Sequence, residues 1–400
     1  VPFDAREAAR NVARPAAYTS PADAATARSS RPTKQGHFKE HRMGALGSGM
    51  VVFNLLREVN LREIKREADQ PFTLHVVGEV GAATRLAEAL SAAPGKHGIH
   101  PWVRVVPLPL AASDGLSAPG SSDGFTVALV LNDGVDPDAD ARTALSRLRA
   151  LRIPSLSVVL NDDAVDLVGA ATPRPGETAR VVLPAGLPGD VLVAQLAPAL
   201  FERLPADDGA RVALARQLPA LRRNVIASLI DPTARANAMY AATTGLAEWV
   251  PILNLPLNAA DVIVLTKNQL IMAYKIALAA GKNGQPRDVI GEIVSVLGGG
   301  LLMRQIAREL VGPIPVVGIV PKVAVAYAGT RVIGLVVERW ALEGRRIEGS
   351  EVRALLTEAT AGARGLAESV VDRVRGRKDQ EGDAEARALD RPATDDDNPL

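Results

Sequence analysis

The chain has 400 residues, a hydrophobic fraction of 47%, aromatics at 3%, no cysteine and a formal net charge of +1. That length allows about two domains plus tails, and the cores must be filled by Val, Leu, Ile and Ala. Without cysteine, disulfides, thiolate metal sites and Cys nucleophiles are excluded; the composition fits a cytoplasmic protein.

Residues 1–45 are rich in Ala, Pro, Ser, Thr and Arg without an apolar period, and they read as a disordered segment. They lack the apolar core of a secretory signal, and Asp4, Glu7 and Asp23 weigh against a transit peptide. Within them His37, Glu40 and His41 match H-x-x-E-H, a zinc-protease spacing. A chance match without a third ligand is the simpler reading. Residues 46–70 form an amphipathic linker helix: in Met50–Ala68, Val52, Leu55, Leu56 and Val59 make one stripe at the 3.6 period.

Over 71–210 strands and helices alternate. Apolar runs at 73–77, 102–110, 125–131, 155–160 and 179–184 predict strands, and 83–90, 136–151 and 189–204 predict helices. This is the pattern of a mainly parallel α/β sheet covered on both faces. Over 211–375 the strand signals fade into long apolar helical stretches at 212–230, 269–280, 288–297 and 332–344, separated by Pro- and Gly-rich breaks. Residues 376–400 form a charged, disordered tail. Formal charge follows this division: +4 for 1–70, −4 for 71–218, +6 for 219–380 and −5 for 381–400. Two domains with different partners are expected. The longest charge-free runs of the second, 249–260, 293–303 and 311–321, have 11 or 12 residues, short of the roughly 18–20 a spanning helix needs. A buried helical core is one reading. A hairpin set partway into a bilayer, or a surface helix, is the other.

Gly78 and Gly81 follow the first strand, where a phosphate-binding loop would lie. A working G-x-x-x-x-G-K-[ST] loop needs its Lys for the phosphates and its Ser/Thr for magnesium. Counting from Gly78, Ala83 stands at the last Gly, Thr84 at the Lys and Arg85 at the Ser/Thr; a one-residue deletion puts Thr84 on magnesium and Ala83 at the Lys. Either way the lysine is missing. Guanine is usually read by N-K-x-D; here Asn161 is followed by Asp162 at the Lys and Ala164 at the Asp, with Asp163 or Asp166 as substitutes. No Lys occurs between Lys96 and Lys267. Burying a triphosphate without a cation costs several kcal/mol at least, on the order of an unpaired buried charge. The helix N-terminus after Gly81 keeps some attraction for a weaker anion.

The order of elements in 76–90, 127–134 and 153–162 resembles an Era-like small GTPase domain. The segments 236–281 and 298–334 resemble the bacterial domain-of-unknown-function 697 family. The resemblance covers roughly residues 50–345 and implies a degenerate P-loop GTPase-like α/β domain joined to an all-α, membrane-associated helical domain. The expected function is a non-catalytic GTPase-like scaffold whose helical domain, through residues 219–380, binds a membrane surface or a protein partner, a second copy included. On this reading the chain carries no catalytic residue, cofactor, metal or nucleic acid. It keeps only a vestigial phosphate loop (Gly78, Gly81, Thr84) and a vestigial base site (Asn161, Asp163). The alternative is a divergent GTPase using GTP and magnesium at the inner face of the cell membrane.

Other candidate chemistry is thin. His97 and His100 read as a solvated turn. Asp133, Asp136, Asp138 and Asp140 faintly match a calcium loop, but an acidic helix N-terminus explains them better.

Overall fold

A computed structural model describes residues 59–111, 116, 124–160, 179–247, 259–297 and 319–373, apart from a few positions inside these ranges. The expected features at His37, Glu40 and His41, at Asn161 to Asp166 and in the tail lie outside them.

The first helix, α1, spans Leu61–Ala68 and is capped by Asn60, whose side chain accepts from the Glu63 amide. A new N-terminus therefore stands inside the stretch expected as one helix from Met50. Short side chains with amide or carboxylate oxygens compete for backbone amides in this way. Strands β1 (Phe72–Gly78), β2 (Val103–Pro107), β3 (Phe125–Asn132), β4 (Ser155–Leu160) and β5 (Arg180–Leu183) build a five-stranded sheet in the order β2-β1-β3-β4-β5. All four pairings are parallel. The strands are the predicted ones. The Val/Leu-rich runs of β1, β3 and β4 are buried on both faces, as the interior of a parallel sheet requires. The edge strands β2 and β5 are only partly covered.

Helix α2 (Val80–Ser91) follows β1, α3 (Ala139–Ala150) follows β3 and α4 (Gly189–Phe201) follows β5. Leu74, Val76, Val127, Leu129, Leu156 and Val158 face the core shared with α2 and α4. Val77, Val106, Ala128 and Val130 face Ala141, Ala144 and Leu148 of α3 on the other side. The chain order reverses direction between β1 and β3. In open parallel sheets that point, at the carboxyl ends of the strands, is where ligands bind.

Helix α5 (Asp208–Gln217) ends at Leu218, which Pro219 holds extended, φ −111° and ψ 90°. A residue before proline is pushed out of the helical region. A 3-10 turn at Pro219–Leu221 leads into α6 (Arg222–Ala247). The single helix expected over 212–230 is thus two. Conversely, α6 runs through Pro232, and α7 (Ala259–Ala279), α8 (Pro286–Val296) and α9 (Ile319–Glu343) complete the main bundle, followed by helix over 350–360. Pro321, expected in a break, sits in the first turn of α9, where its missing N–H costs nothing.

In the bundle α6 is antiparallel to α7 and α9. Asn237 meets both Asn268 and Thr330, while Ile230, lower on α6, meets Gly334, later on α9. A Cβ on Gly334 would lie 2.6 Å from Ile230 Cγ1, so glycine lets the two helices close. The buried Thr330 hydroxyl accepts from Asn237 Nδ2 at 3.0 Å and Gln269 Nε2 at 3.1 Å, and donates to the Ala326 carbonyl at 2.7 Å. Both lone pairs and the proton are used, so the three helices have one register. Arg331 pairs with Asp231 across α9 and α6.

The apolar core does not stop at residue 210. One cluster extends from Leu74 and Leu86 through Leu214, Leu218 and Leu221 to Ile276, Val332 and Leu356. Polar contacts cross the same join. The Arg216 guanidinium reaches Asp69 after α1 at 2.9 Å and donates to the carbonyls of Leu278 and Lys282 at the end of α7, at 3.3 and 2.9 Å. A cation suits a helix C-terminus. Burial beside this group pushes the Tyr274 phenol up to about 12, with Asp69 adding to the shift.

Among the described residues no helix is long and apolar enough to cross a membrane. The large apolar side chains left exposed there are Val80, Val191 and Ile263, and single exposed residues of this kind are ordinary.

Candidate functional site

The switch point brings together the end of β1 with the start of α2, and the end of β3 with the turn into α3. A phosphate-binding site here needs a loop between β1 and α2 with free backbone amides. The chain has no such loop. β1 ends at Gly78, α2 begins at Val80, and Glu79 alone connects them. The expected helix start after Gly81 is corrected: Gly81 is the second residue of α2, and Ala83 and Thr84 lie in its first turns.

Glu79 occupies the anion position itself. The amides of Gly81 and Ala82 donate to its Oε1 and Oε2 at 2.9 and 2.8 Å, and the Ala83 amide donates to its carbonyl at 2.9 Å. The Gly81 and Ala82 amides are donors that a helix N-terminus would offer a phosphate; the Ala83 bond is the first of the helix's own ladder. The two amide bonds hold the Glu79 carboxyl below the usual carboxylate range, with exposed Arg85 adding to the effect. At neutral pH the N-terminus of α2 is therefore covered by a tethered negative charge, and a phosphate must both displace it and approach it.

The two glycines serve this arrangement. A Cβ on Gly78 would lie 2.9 Å from Leu131 Cβ on β3, so glycine permits the close approach of the strands. A Cβ on Gly81 would lie 3.1 Å from Glu79 Oε2, so glycine leaves room for the carboxylate. Ala83, at the lysine position, is fully buried against the sheet. Thr84 is half-buried. Gly78, Gly81 and Thr84 are thus brought to one place. Asn161 and Asp163 lie outside the described residues.

The β3 side of the switch point is also internally satisfied. The Asn132 amide donates to the Gly134 carbonyl, and its Oδ1 accepts from Ser157 Oγ of β4 at 3.0 Å. Asp138 caps α3, accepting from the Ala141 amide at 2.7 Å, and Asp140 lies in the first turn. Among the described residues no three metal-ligating side chains gather. His100 Nδ1 accepts from the Trp102 amide at 3.3 Å, while His97 is exposed.

Sequence reasoning missed Glu79. Ser, Thr, Asp and Asn are the usual caps, so a Glu between two glycines reads as part of a loop. The remaining signal was the length of the apolar helical run, which continues back through Ala82 to Val80.

Neither the protein-family models nor the curated proteins compared with this chain give a match.

Proposed function

We propose that this protein is a nucleotide-free, GTPase-like α/β scaffold fused to a helical domain that makes its principal interaction with a membrane surface or a protein partner. The observation that carries the first half is the Glu79 carboxylate on the Gly81 and Ala82 amides. The parallel sheet has a switch point between β1 and β3, but the amide donors beside it are consumed internally, and Ala83 faces the core. A parallel sheet with β1 and β3 adjacent is compatible with a degenerate Era-like domain, and the apolar helices after it with the 697 family.

Two features support the second half. α7 and α9 both begin at the end of the bundle where α6 finishes, and in the sequence the segments 248–258 and 298–318 precede them. Both are strongly apolar in sequence and carry Trp249, Ile252, Leu255, Leu301, Leu302 and Val316. Exposed Ile263 lies near the same end. The described helices bury their apolar faces on one another, which leaves the apolar sequence of 248–258 and 298–318 as the support for a contact by this half. Surface basic residues contribute about 1 kcal/mol each near an anionic bilayer.

Titration of the full chain with a fluorescent GTP analogue and magnesium tests the first half. No saturable binding is expected. Saturable binding that disappears in Thr84→Ala establishes the divergent GTPase instead. Flotation with anionic liposomes before and after a salt wash tests the second half and separates a bilayer from a protein partner.

A further inference from the structure

Between α7 and α8 the chain turns through Ala280 to Gln285. Asn283–Gly284 is the one Asn-Gly step in the 400 residues. Both residues are exposed, so water reaches them. Gly284 has φ 136°, in a region that favours glycine, and no side chain of its own shields its amide nitrogen. Among the described residues that amide donates no hydrogen bond, although the turn around it is fixed. Lys282 N–H donates to the Ala277 carbonyl at 3.0 Å and Asp288 N–H to the Gln285 carbonyl at 2.9 Å. Arg216 Nη2 donates to Asn283 Oδ1. Asn237 and Asn268, by contrast, lie inside α6 and α7, and the amides that follow them belong to Ala238 and Gln269 within the helical ladder.

We infer that Asn283 is a site of spontaneous modification, at which the side-chain amide becomes an acid. The Gly284 nitrogen loses its proton to solvent and attacks Asn283 Cγ. The N–Cγ bond forms, the Cγ–Nδ2 bond breaks, and the side-chain nitrogen takes up a proton and leaves as ammonia. The oxygen that carries charge as the ring closes is Oδ1, and the Arg216 guanidinium already donates to it. Water then opens the cyclic imide. Addition at Cγ gives aspartate; addition at the main-chain carbonyl gives isoaspartate, with the backbone running through Cγ. The sum is asparagine plus water to acid plus ammonia, so no oxidant or further reactant is needed.

The position gives the change a consequence. Arg216 ties the two halves of the chain together through Asp69 and the carbonyls of Leu278 and Lys282. Aspartate at 283 offers that guanidinium a carboxylate in place of an amide oxygen, which is the stronger acceptor. Isoaspartate lengthens the backbone beside Lys282 by one methylene.

The test incubates the full chain at mildly alkaline pH, folded in buffer and unfolded in guanidinium chloride, and follows its peptides by mass spectrometry. The acid form is expected to accumulate at residue 283 of the folded chain at least as fast as in the unfolded one, while Asn237 and Asn268 of the folded chain stay amides. Asn283→Gln, which needs a larger ring to close, should stay an amide as well. Slower conversion of Asn283 in the folded chain than in the unfolded one overturns the inference, because the loop would then protect the step. Equal conversion at Asn237 or Asn268 of the folded chain also overturns it. Asn283→Asp reads the consequence separately: its thermal unfolding midpoint should lie above that of the parent chain, and a lower midpoint contradicts the pairing with Arg216.

Discussion

Ala83→Lys puts back the one side chain that a phosphate loop lacks, and the structure predicts that it damages the protein instead of activating it. Ala83 is fully buried on the face of α2 that packs with Leu86, Ala87 and Leu90 against the sheet. Adding a long side chain to a filled core costs about 1–3 kcal/mol in overpacking. Holding its ammonium there depresses the lysine pKa by up to 3–5 units, roughly 4–7 kcal/mol for complete burial. Ala83 lies in the first turn of its helix, so the chain can bend toward the sheet edge and recover part of this. A loss of at least about 3 kcal/mol remains, a large share of the 5–15 kcal/mol typical of a folded protein. Urea unfolding followed by circular dichroism measures it, with Ala83→Leu isolating overpacking. A loss below about 1 kcal/mol together with new binding of a GTP analogue refutes the reasoning, because the residue would then face a ligand and not the core.

Thr330→Val leaves the Asn237 and Gln269 amide donors without their shared acceptor. It should cost about 2–4 kcal/mol in urea unfolding, since each orphaned buried donor costs roughly 1–3, while Thr330→Ser should recover most of this. A chain ended at Leu218 loses the helices that cover Leu214, Leu218 and the Arg216 contacts; it should expose apolar surface, read as dye binding and loss of a cooperative thermal transition. Glu79→Gln should flatten the acid limb of the stability–pH profile. The folded pKa of Glu79 is depressed, so its contribution is complete above the unfolded carboxyl value and disappears as pH falls through the folded one. An unchanged limb in Glu79→Gln contradicts the cap.

The strands were readable because buried parallel strands are short apolar runs rich in Val and Leu between turn signals, as at 125–131 and 155–160. Asp138 was readable too, as an acid before an amphipathic run. The site was less so. Gly78 and Gly81 look like a loop in sequence, yet one answers Leu131 and the other the Glu79 carboxylate. The first cause lies on another strand, and the second, though local, needs a Glu where a shorter cap is usual. Prolines misled in both directions. Pro219 ends a helix through its effect on Leu218, whereas Pro232 stays inside α6, where packing against α7 and α9 outweighs the lost hydrogen bond. The join of the two halves was hidden because Asp69 and Arg216 are far apart in the chain and ordinary in type.

The most direct measurement follows the backbone amide resonances of Gly81 and Ala82 by NMR, first through an acid titration and then during addition of GTP and magnesium at neutral pH. If Glu79 holds those amides, both move together in acid, with a midpoint below the 4.5 of an ordinary glutamate, and neither moves when nucleotide is added. Amides that ignore the acid titration and shift saturably with GTP contradict the account, because the N-terminus of α2 would then belong to a phosphate.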